Sequence, residues 1–352
     1  MLGKLKGPGN RVNWRELVPL GKEEILAILE GSQGCYISGE EISVKLGVSR
    51  SAVWKQIRHL RDLGYKITGS PRTGYLFEDA PDLLYPWEIR KGLETLRFGK
   101  QIFHFRQVGS TNQVAQDLGR KGYPEGTVVV AEEQTAGRGR WQRAWFSPPE
   151  LGIWLSLILR PPVAPSQVPQ ITLVAGVACA RALHAELGLK PGIKWPNDLV
   201  FNGKKVCGIL AELEAAAEQI NYLVLGIGIN VNQEREDFPP DLRETATSLR
   251  ILTGSRLRRI PIVRRLLALL EEEYDLFCCS GFAGARERWL AYQVTLGKRV
   301  RVHEGKEEFF GEAVDLDLDG SLLLRMPDGT MRRCAAGEVA LCREGGQQEG
   351  GF

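Results

Sequence analysis

Nine consecutive residues, Gly137-Arg138-Gly139-Arg140-Trp141-Gln142-Arg143-Ala144-Trp145, combine glycines with three arginines and two indoles. Glycine lets the main chain approach a ligand and expose its N–H groups, while guanidinium offers planar, permanently charged bonding to phosphate oxygens. The runs on either side, Gly126 to Gln134 and Gly152 to Arg160, are strand-like, so the segment is a loop hung between two strands. Loops held by a rigid sheet commonly carry function. The segment reads as a clamp for a phosphate-bearing small molecule, with a solvated basic hairpin loop as the alternative.

Three further groups have residue types suited to chemistry. In Lys194-Trp195-Pro196-Asn197-Asp198, a lysine fixed between a strand end and a proline is placed to offer its ammonium to a phosphate or to a carboxylate becoming an acyl phosphate. A plain surface lysine is the competing reading. In Gly109-Ser110-Thr111-Asn112, Ser110 is either the N-cap of the following helix or part of a polar group that binds a ligand head. In Gly226-Ile227-Gly228-Ile229-Asn230, glycines weaken a strand unless something must come close. The pattern lacks the third glycine and helix of a dinucleotide fold.

Other chemistries are disfavoured. The chain has no G-x-S-x-G elbow, no H-E-x-x-H and no phosphate-binding Walker loop, and its four histidines (His59, His104, His184, His303) form no sequence cluster. The seven cysteines are scattered without a C-x-x-C pair, so neither a disulfide framework nor a zinc site is expected, and no motif fixes a metal. They read as buried, reduced small residues. What remains is phosphate handling by arginine, lysine and main-chain N–H.

The elements that must position these groups fall into three pieces. At 352 residues, 43% hydrophobic and 25% charged, the chain has ordinary globular composition and room for two or three domains. No apolar run reaches the roughly 20 residues needed to span a bilayer, and the start lacks the apolar core of a signal peptide. A cytoplasmic protein without a membrane partner is therefore expected. Residues 1–80 hold 12 Lys and Arg against 9 Asp and Glu, and the rest is balanced at 34 against 34, so the formal +3 lies in the N-terminal piece. That excess permits nucleic-acid binding without demonstrating it.

Residues 1–20 read as a flexible tail, and residues 21–80 as a DNA-binding domain. Lys22 opens one short helix, and Ser38-Gly39-Glu40-Glu41 is a capping box opening a second through Leu46. A third helix, Ser49 to Leu63, segregates Val53, Ile57, Leu60 and Leu63 on one side from Arg50, Ser51, Trp54, Lys55, Arg58 and Arg61 on the other. This is the helix-turn-helix arrangement. Two strand-like runs, Tyr65 to Thr68 and Gly74 to Phe77, suggest a wing with Arg72 at its tip. Ser49, Arg50, Ser51, Trp54, Lys55, Arg58 and Arg72 are the candidate DNA contacts; a helical docking domain with a solvated charged face is the alternative.

Residues 86–288 mix strands with helices such as Asn112 to Arg120, Gln167 to Leu187 and Ile262 to Phe277, giving an α+β or α/β domain with Asn202-Gly203 as a type I′ hairpin. Residues 295–343 show short strands with turns at Gly305, Asp319-Gly320 and Asp328-Gly329 and read as a small β-barrel; 344–352 are a tail.

The motifs GST-N at Gly109 to Asn112, Gln134, GRGR at Gly137 to Arg140, Arg143, Trp145, KWPND, GIGIN and ATSL at Ala246 to Leu249 closely resemble the biotin–protein ligases in order and spacing. With the N-terminal winged helix-turn-helix, the chain is similar to the bifunctional form, ligase and biotin operon repressor. The resemblance covers roughly Lys22 to Cys342. It implies a multidomain α+β fold: winged helix-turn-helix, central α/β ligase domain with a mixed sheet, and a small SH3-like β-barrel. It also implies that biotin and MgATP give biotinyl-5′-AMP and pyrophosphate, and that the biotinyl group passes to a lysine of a biotin carboxyl carrier protein. ATP, Mg2+ and biotin are the implied small molecules; operator DNA and a homodimer favoured by biotinyl-AMP are the implied partners.

By the same resemblance, Ser110, Thr111, Asn112, Gln134, Gly137, Arg138, Gly139, Arg140, Arg143, Trp145, Gly226 and Gly228 surround biotin or its adenylate. Lys194 stabilises developing charge, and Arg140 retains the adenylate. One departure stands out: the family loop usually reads GRGRxGRxW, and Gln142 replaces its internal glycine. If that glycine needs positive φ, the loop closes differently here. A lipoate-type ligase, or a biotin-sensing transcription factor without ligase activity, are the alternatives.

Overall fold

The computed structural model describes residues 22–32, 34–216, 219–304, 307–335 and 337–342. The expected tails at 1–20 and 344–352, and the turn at Gly305, lie outside the described residues. The chain divides into two compact units, Met1–Asp82 and Leu83–Phe352.

The first unit contains α1 (Lys22–Gly31), α2 (Gly39–Leu46), α3 (Arg50–Asp62), β1 (Lys66–Ser70) and β2 (Gly74–Asp79). Ser38 caps α2 by accepting from the Glu41 N–H at 3.0 Å, and Gly47 ends it in the left-handed region at φ 65°. Ser49 caps α3 by accepting from the Ala52 N–H at 3.2 Å. Ile25, Leu29, Ile42, Val53, Ile57 and Leu60 are buried together, so one face of each helix builds the core. β1 and β2 pair antiparallel as the wing. Arg61, exposed on the solvent face as expected, also donates to the carbonyls of Ile67 and Gly69 at 2.7 and 2.9 Å and fixes the wing to α3.

The second unit is built on a seven-stranded mixed sheet. In chain order its elements are α4 (Pro86–Arg90), β3 (Ile102–Phe105), α5 (Thr111–Arg120), β4 (Val128–Ala131), β5 (Gly152–Leu159), α6 (Val168–Leu187), β6 (Gly192–Lys194), β7 (Asp198–Phe201), β8 (Lys204–Ala216) and β9 (Gln219–Asn230). The strand order is β3-β4-β5-β9-β8-β7-β6, parallel only between β3 and β4. All eight residues of β5 are buried, which explains the unbroken apolar run Gly152 to Leu159. Helices α7 (Leu249–Thr253), α8 (Arg259–Ser280) and α9 (Ala283–Tyr292) follow. Asn202 and Gly203 have φ of 49° and 78°, the two positive values that a type I′ turn requires.

Two expectations need correction. The helical segment Pro165–Leu187, 23 residues, is long and apolar enough to cross a membrane by length and composition, contrary to the absence inferred above. It is a core helix, with 72% of its most apolar window buried among α8, α9 and β8. The cysteines are also not uniformly buried: Cys179, Cys207 and Cys334 are, whereas Cys35 and Cys279 are exposed.

The last strands, β10 (Arg299–Glu304), β11 (Glu307–Leu316), β12 (Leu322–Arg325), β13 (Met331–Cys334) and β14 (Glu338–Leu341), form the expected small antiparallel unit in the order β13-β12-β11-β10-β14. The Trp195 indole N–H donates to the Gly320 carbonyl at 3.1 Å, and the Trp195 backbone N–H to Thr295 Oγ1 at 2.9 Å. The turn between β6 and β7 is thereby fastened to this sheet.

Candidate active site

The floor of the site is glycine. In the antiparallel register, Gly228 of β9 stands between Gly208 of β8 and Trp154 of β5, and Gly226 stands between Leu210 and Ser156. A Cβ on residue 228 would lie 2.4 Å from Trp145 Nε1, and one on residue 208 would lie 2.9 Å from the same indole. A Cβ on residue 226 would lie 2.3 Å from Asn112 Oδ1. The close approach inferred from glycines in a strand is real, and two of the protein's own side chains make it. Gly208 was missed, although Val206-Cys207-Gly208-Ile209 carried the same signal.

Over this floor lies a cavity of about 690 Å3. Its lining includes Ser110, Thr111, Asn112, Gln134, Arg138, Gly139, Arg140, Arg143, Trp145, Lys194, Gly226 and Gly228, so most residues selected from the sequence converge on it. Gly137 does not line it. Its carbonyl accepts from the Trp145 N–H at 2.9 Å, and a Cβ there would lie 2.7 Å from the Trp145 carbonyl, so it is the stem of the loop. The candidate DNA contacts all belong to the first unit and are exposed there.

At one end a polar chain is buried. Gln134 Oε1 accepts from both the backbone N–H and the hydroxyl of Thr111, at 2.9 and 3.0 Å. Ser156 Oγ lies 2.7 Å from Thr111 Oγ1 and 2.5 Å from Asn112 Oδ1, and Asn112 Nδ2 donates to Glu212 at 2.6 Å. Ser110 occupies the N-cap position of α5, yet its side chain makes no cap hydrogen bond. Ser156 is a hydroxyl inside an apolar strand, a signal the sequence reading passed over.

At the other end positive charge gathers. Arg140 donates to the Gly337 carbonyl at 2.8 Å and to Asn197 Oδ1 at 3.4 Å. Burial lowers its guanidinium pKa, and Asp198 and Glu338 only partly oppose this. A desolvated but still charged guanidinium favours an incoming anion. Arg143 pairs with Glu338 at 2.5 Å. Lys194, at the end of β6, is the cross-strand neighbour of Asp198, which pairs with Lys205 at 2.7 Å. The Lys205 ammonium also sits 5.1 Å from the centre of the Trp145 ring. Six cationic and four acidic side chains line the cavity, an excess that suits an anionic occupant.

The different closure expected from the Gln142 departure is not what the structure shows, because Gln142 itself takes up the left-handed turn. Trp141 and Gln142 both have left-handed backbones, with φ of 56° and 60°. Gln142 thus adopts the conformation that glycine would take without strain. The Gly139 N–H donates to the Arg143 carbonyl at 2.8 Å, and Gln142 Oε1 accepts from Arg138 at 3.4 Å.

Buried beneath the sheet edge is a cluster the sequence gave no sign of. Glu132 is 1% exposed; it accepts from the Leu84 N–H at 2.7 Å, meets His104 Nε2 at 2.9 Å, and pairs with Arg259 at 2.8 Å. Burial alone would raise its pKa, but His104 and Arg259 outweigh burial and hold the carboxyl below its ordinary value. Among the described residues no group of three His, Cys, Asp or Glu side chains is arranged to hold a metal.

A glycine-floored cavity on a mixed sheet, clasped by an arginine loop, suits an anionic small-molecule substrate, and comparison with known proteins places the chain in the class of biotin-activating ligases. The Biotin/lipoate A/B protein ligase family matches residues 104–230, an HTH domain matches 22–76, and the Biotin protein ligase C terminal domain matches 295–341. The bifunctional ligase/repressor BirA of Bacillus spizizenii is 39% identical over 308 residues, covering 88% of this chain and 95% of that protein. Its Escherichia coli counterpart is 32% identical over 329 residues, covering 92% and 97%. The biotin protein ligase of Aquifex aeolicus, solved in complex with biotin and ATP, superposes with a TM-score of 0.61 at 30% identity, covering 70% of this chain and all of that one. The chain belongs to the family of bifunctional biotin ligase/repressors.

Proposed function

We propose that this protein activates biotin with ATP, transfers the biotinyl group to a lysine of a biotin carboxyl carrier protein, and represses transcription in response to biotin. The observation that carries the ligase reading is the cavity itself, with its buried polar chain at one end and Arg140, Lys194 and Lys205 at the other.

In the first step a carboxylate oxygen of biotin bonds to the α-phosphorus of ATP, and the bond from that phosphorus to the bridging oxygen breaks, releasing pyrophosphate. Attack of one anion on another needs positioned positive charge and excluded water rather than a protein nucleophile. Lys194 supplies that charge, and Arg140 retains the adenylate that forms. Mg2+ would enter with the nucleotide and supply charge neutralisation on its phosphates. In the second step the carrier's lysine amine attacks the acyl carbon, loses a proton, and AMP departs. Ser110, Thr111, Asn112 and Gln134 are the proposed contacts for the polar head of biotin, and Arg138, Gly139 and Arg143 for the adenylate.

For repression, α3 enters the major groove, with Ser49, Arg50, Ser51, Trp54, Lys55 and Arg58 on or beside its outward face and Arg72 at the wing. Two copies on paired half-sites supply affinity, so biotinyl-AMP that favours the dimer favours DNA binding by mass action. The cytoplasm is the proposed compartment. Incubation with biotin and labelled ATP tests the ligase reading: pyrophosphate release with biotin but not with lipoate supports it, and release with neither overturns it.

A further inference from the structure

Along α3 the residues Ser51, Trp54, Lys55 and Arg58 recur at i, i+3, i+4 and i+7 and are all exposed, so they form one outward stripe. Two other cations near this face are already engaged. Arg50 pairs with Glu40 at 2.9 Å, and Arg61 holds the wing carbonyls. The stripe itself therefore carries one hydroxyl, one indole, one ammonium and one guanidinium.

The cations meet phosphates whatever the sequence of the duplex. Trp54 differs in kind. It is 42% exposed, while the opposite face of the helix fills the core with Val53, Ile57 and Leu60. The core leaves much of the ring in solvent. The Arg58 guanidinium lies 5.8 Å from the ring centre, which keeps a charge beside the indole and close to the same contact surface.

We infer that Trp54 is a thymine-reading residue, its ring packing on the C5-methyl group of one thymine in each half-site. This rests on the DNA-binding reading above. Major-groove base edges offer hydrogen-bond donors and acceptors and a single apolar group, the thymine methyl. Indole accepts no hydrogen bond and donates only one, so its broad apolar face has one complementary partner there. Trp54 is also the fifth residue of the 13-residue helix, within the N-terminal half that reaches base edges in helix-turn-helix proteins.

The test uses the full-length protein with biotin and ATP. A binding site is selected from a pool of randomised duplexes, and each thymine in it is then replaced singly by deoxyuridine, which removes the methyl group and keeps every hydrogen-bonding atom. The expected result is one position per half-site at which the parent protein loses affinity on the order of fourfold, the worth of one buried methyl. Trp54→Ala should show no loss at that position, and Trp54→Phe a smaller one; thermal unfolding confirms that both variants fold. The salt slope should be unchanged in Trp54→Ala and smaller by about one in Lys55→Ala. Equal losses in parent and Trp54→Ala at every thymine, or no loss in the parent, overturn the assignment. A reduced salt slope in Trp54→Ala also overturns it, because the ring then serves a phosphate contact. If neither protein enriches any duplex while pyrophosphate release is intact, the DNA-binding reading fails and the assignment with it.

Discussion

Trp145 lies so close to Gly228 that a methyl group on residue 228 would fall 2.4 Å from the indole nitrogen. The loop carrying three arginines is therefore seated on the sheet through an indole that only a glycine-paved strand can receive. Gly228→Ala should unseat Trp145 at a cost of about 1–3 kcal/mol, typical of overpacking, and raise the KM for biotin. Trp145→Ala added to it should recover the lost stability. If the double variant is no more stable than Gly228→Ala alone, the clash is elsewhere.

Lys194→Ala should fold normally and slow pyrophosphate release by roughly 10²–10³, the usual effect of removing one electrostatic partner of developing charge. Stopped-flow pyrophosphate assays check this. An unchanged rate would remove Lys194 from the chemistry.

Arg140→Gly should still form biotinyl-AMP, because Lys194 remains, but release it early. Promiscuous biotinylation of added bulk protein is the expected sign. Should bulk protein stay unlabelled while the carrier is labelled normally, Arg140 is not the retaining group.

Gln142→Gly removes a side chain from a left-handed position, φ 60°. Relief of about 1–2 kcal/mol of backbone strain exceeds the extra entropy cost of glycine, about 0.5–1 kcal/mol. The closed loop should become more populated and adenylate dissociation slower. Faster dissociation would show that the Gln142 bond to Arg138 matters more than the strain.

Glu132 makes stability depend on acid pH. Its folded-state pKa is depressed below the ordinary range of a glutamate, so its contribution is present above that range and is lost as pH falls through the folded pKa. Glu132→Gln leaves Arg259 buried without its carboxylate, a loss of about 3–5 kcal/mol near neutral pH. The gap in melting temperature between parent and variant should narrow as pH falls below about 4.5. A constant gap from pH 7 to pH 3 rejects the linkage.

The parts of the molecule legible in the sequence were those with local causes. Ser38 and Ser49 cap helices because a hydroxyl three residues ahead of a free N–H needs no other element to do so. Asn202-Gly203 turns the chain through its own backbone preferences. Gly226 and Gly228 stand out as anomalies in a strand, but the groups they admit, Asn112 and Trp145, come from 114 and 83 residues away and have no local signature. Glu132, His104 and Arg259 come from β4's exit, β3 and α8, and only the folded sheet joins them. Gly137 lies outside the cavity lining although Arg138 beside it is part of it, a distinction that the sequence alone does not carry. Helical periodicity places Arg61 on the exposed face, where it lies, but does not say which carbonyls a long side chain can reach.

The tether from Arg140 to the Gly337 carbonyl, with Glu338 holding Arg143 and Gly320 holding Trp195, bears on how this chain can be cut. A shortened protein ending near Tyr292 would keep every motif that looks chemical and yet lose one wall of its reaction chamber. The same reasoning favours co-expressing the two halves over trimming: supplied as a separate polypeptide, residues 295–342 have built-in docking points on both the arginine loop and the Lys194 turn, so a split at this boundary should reassemble where a truncation simply leaks.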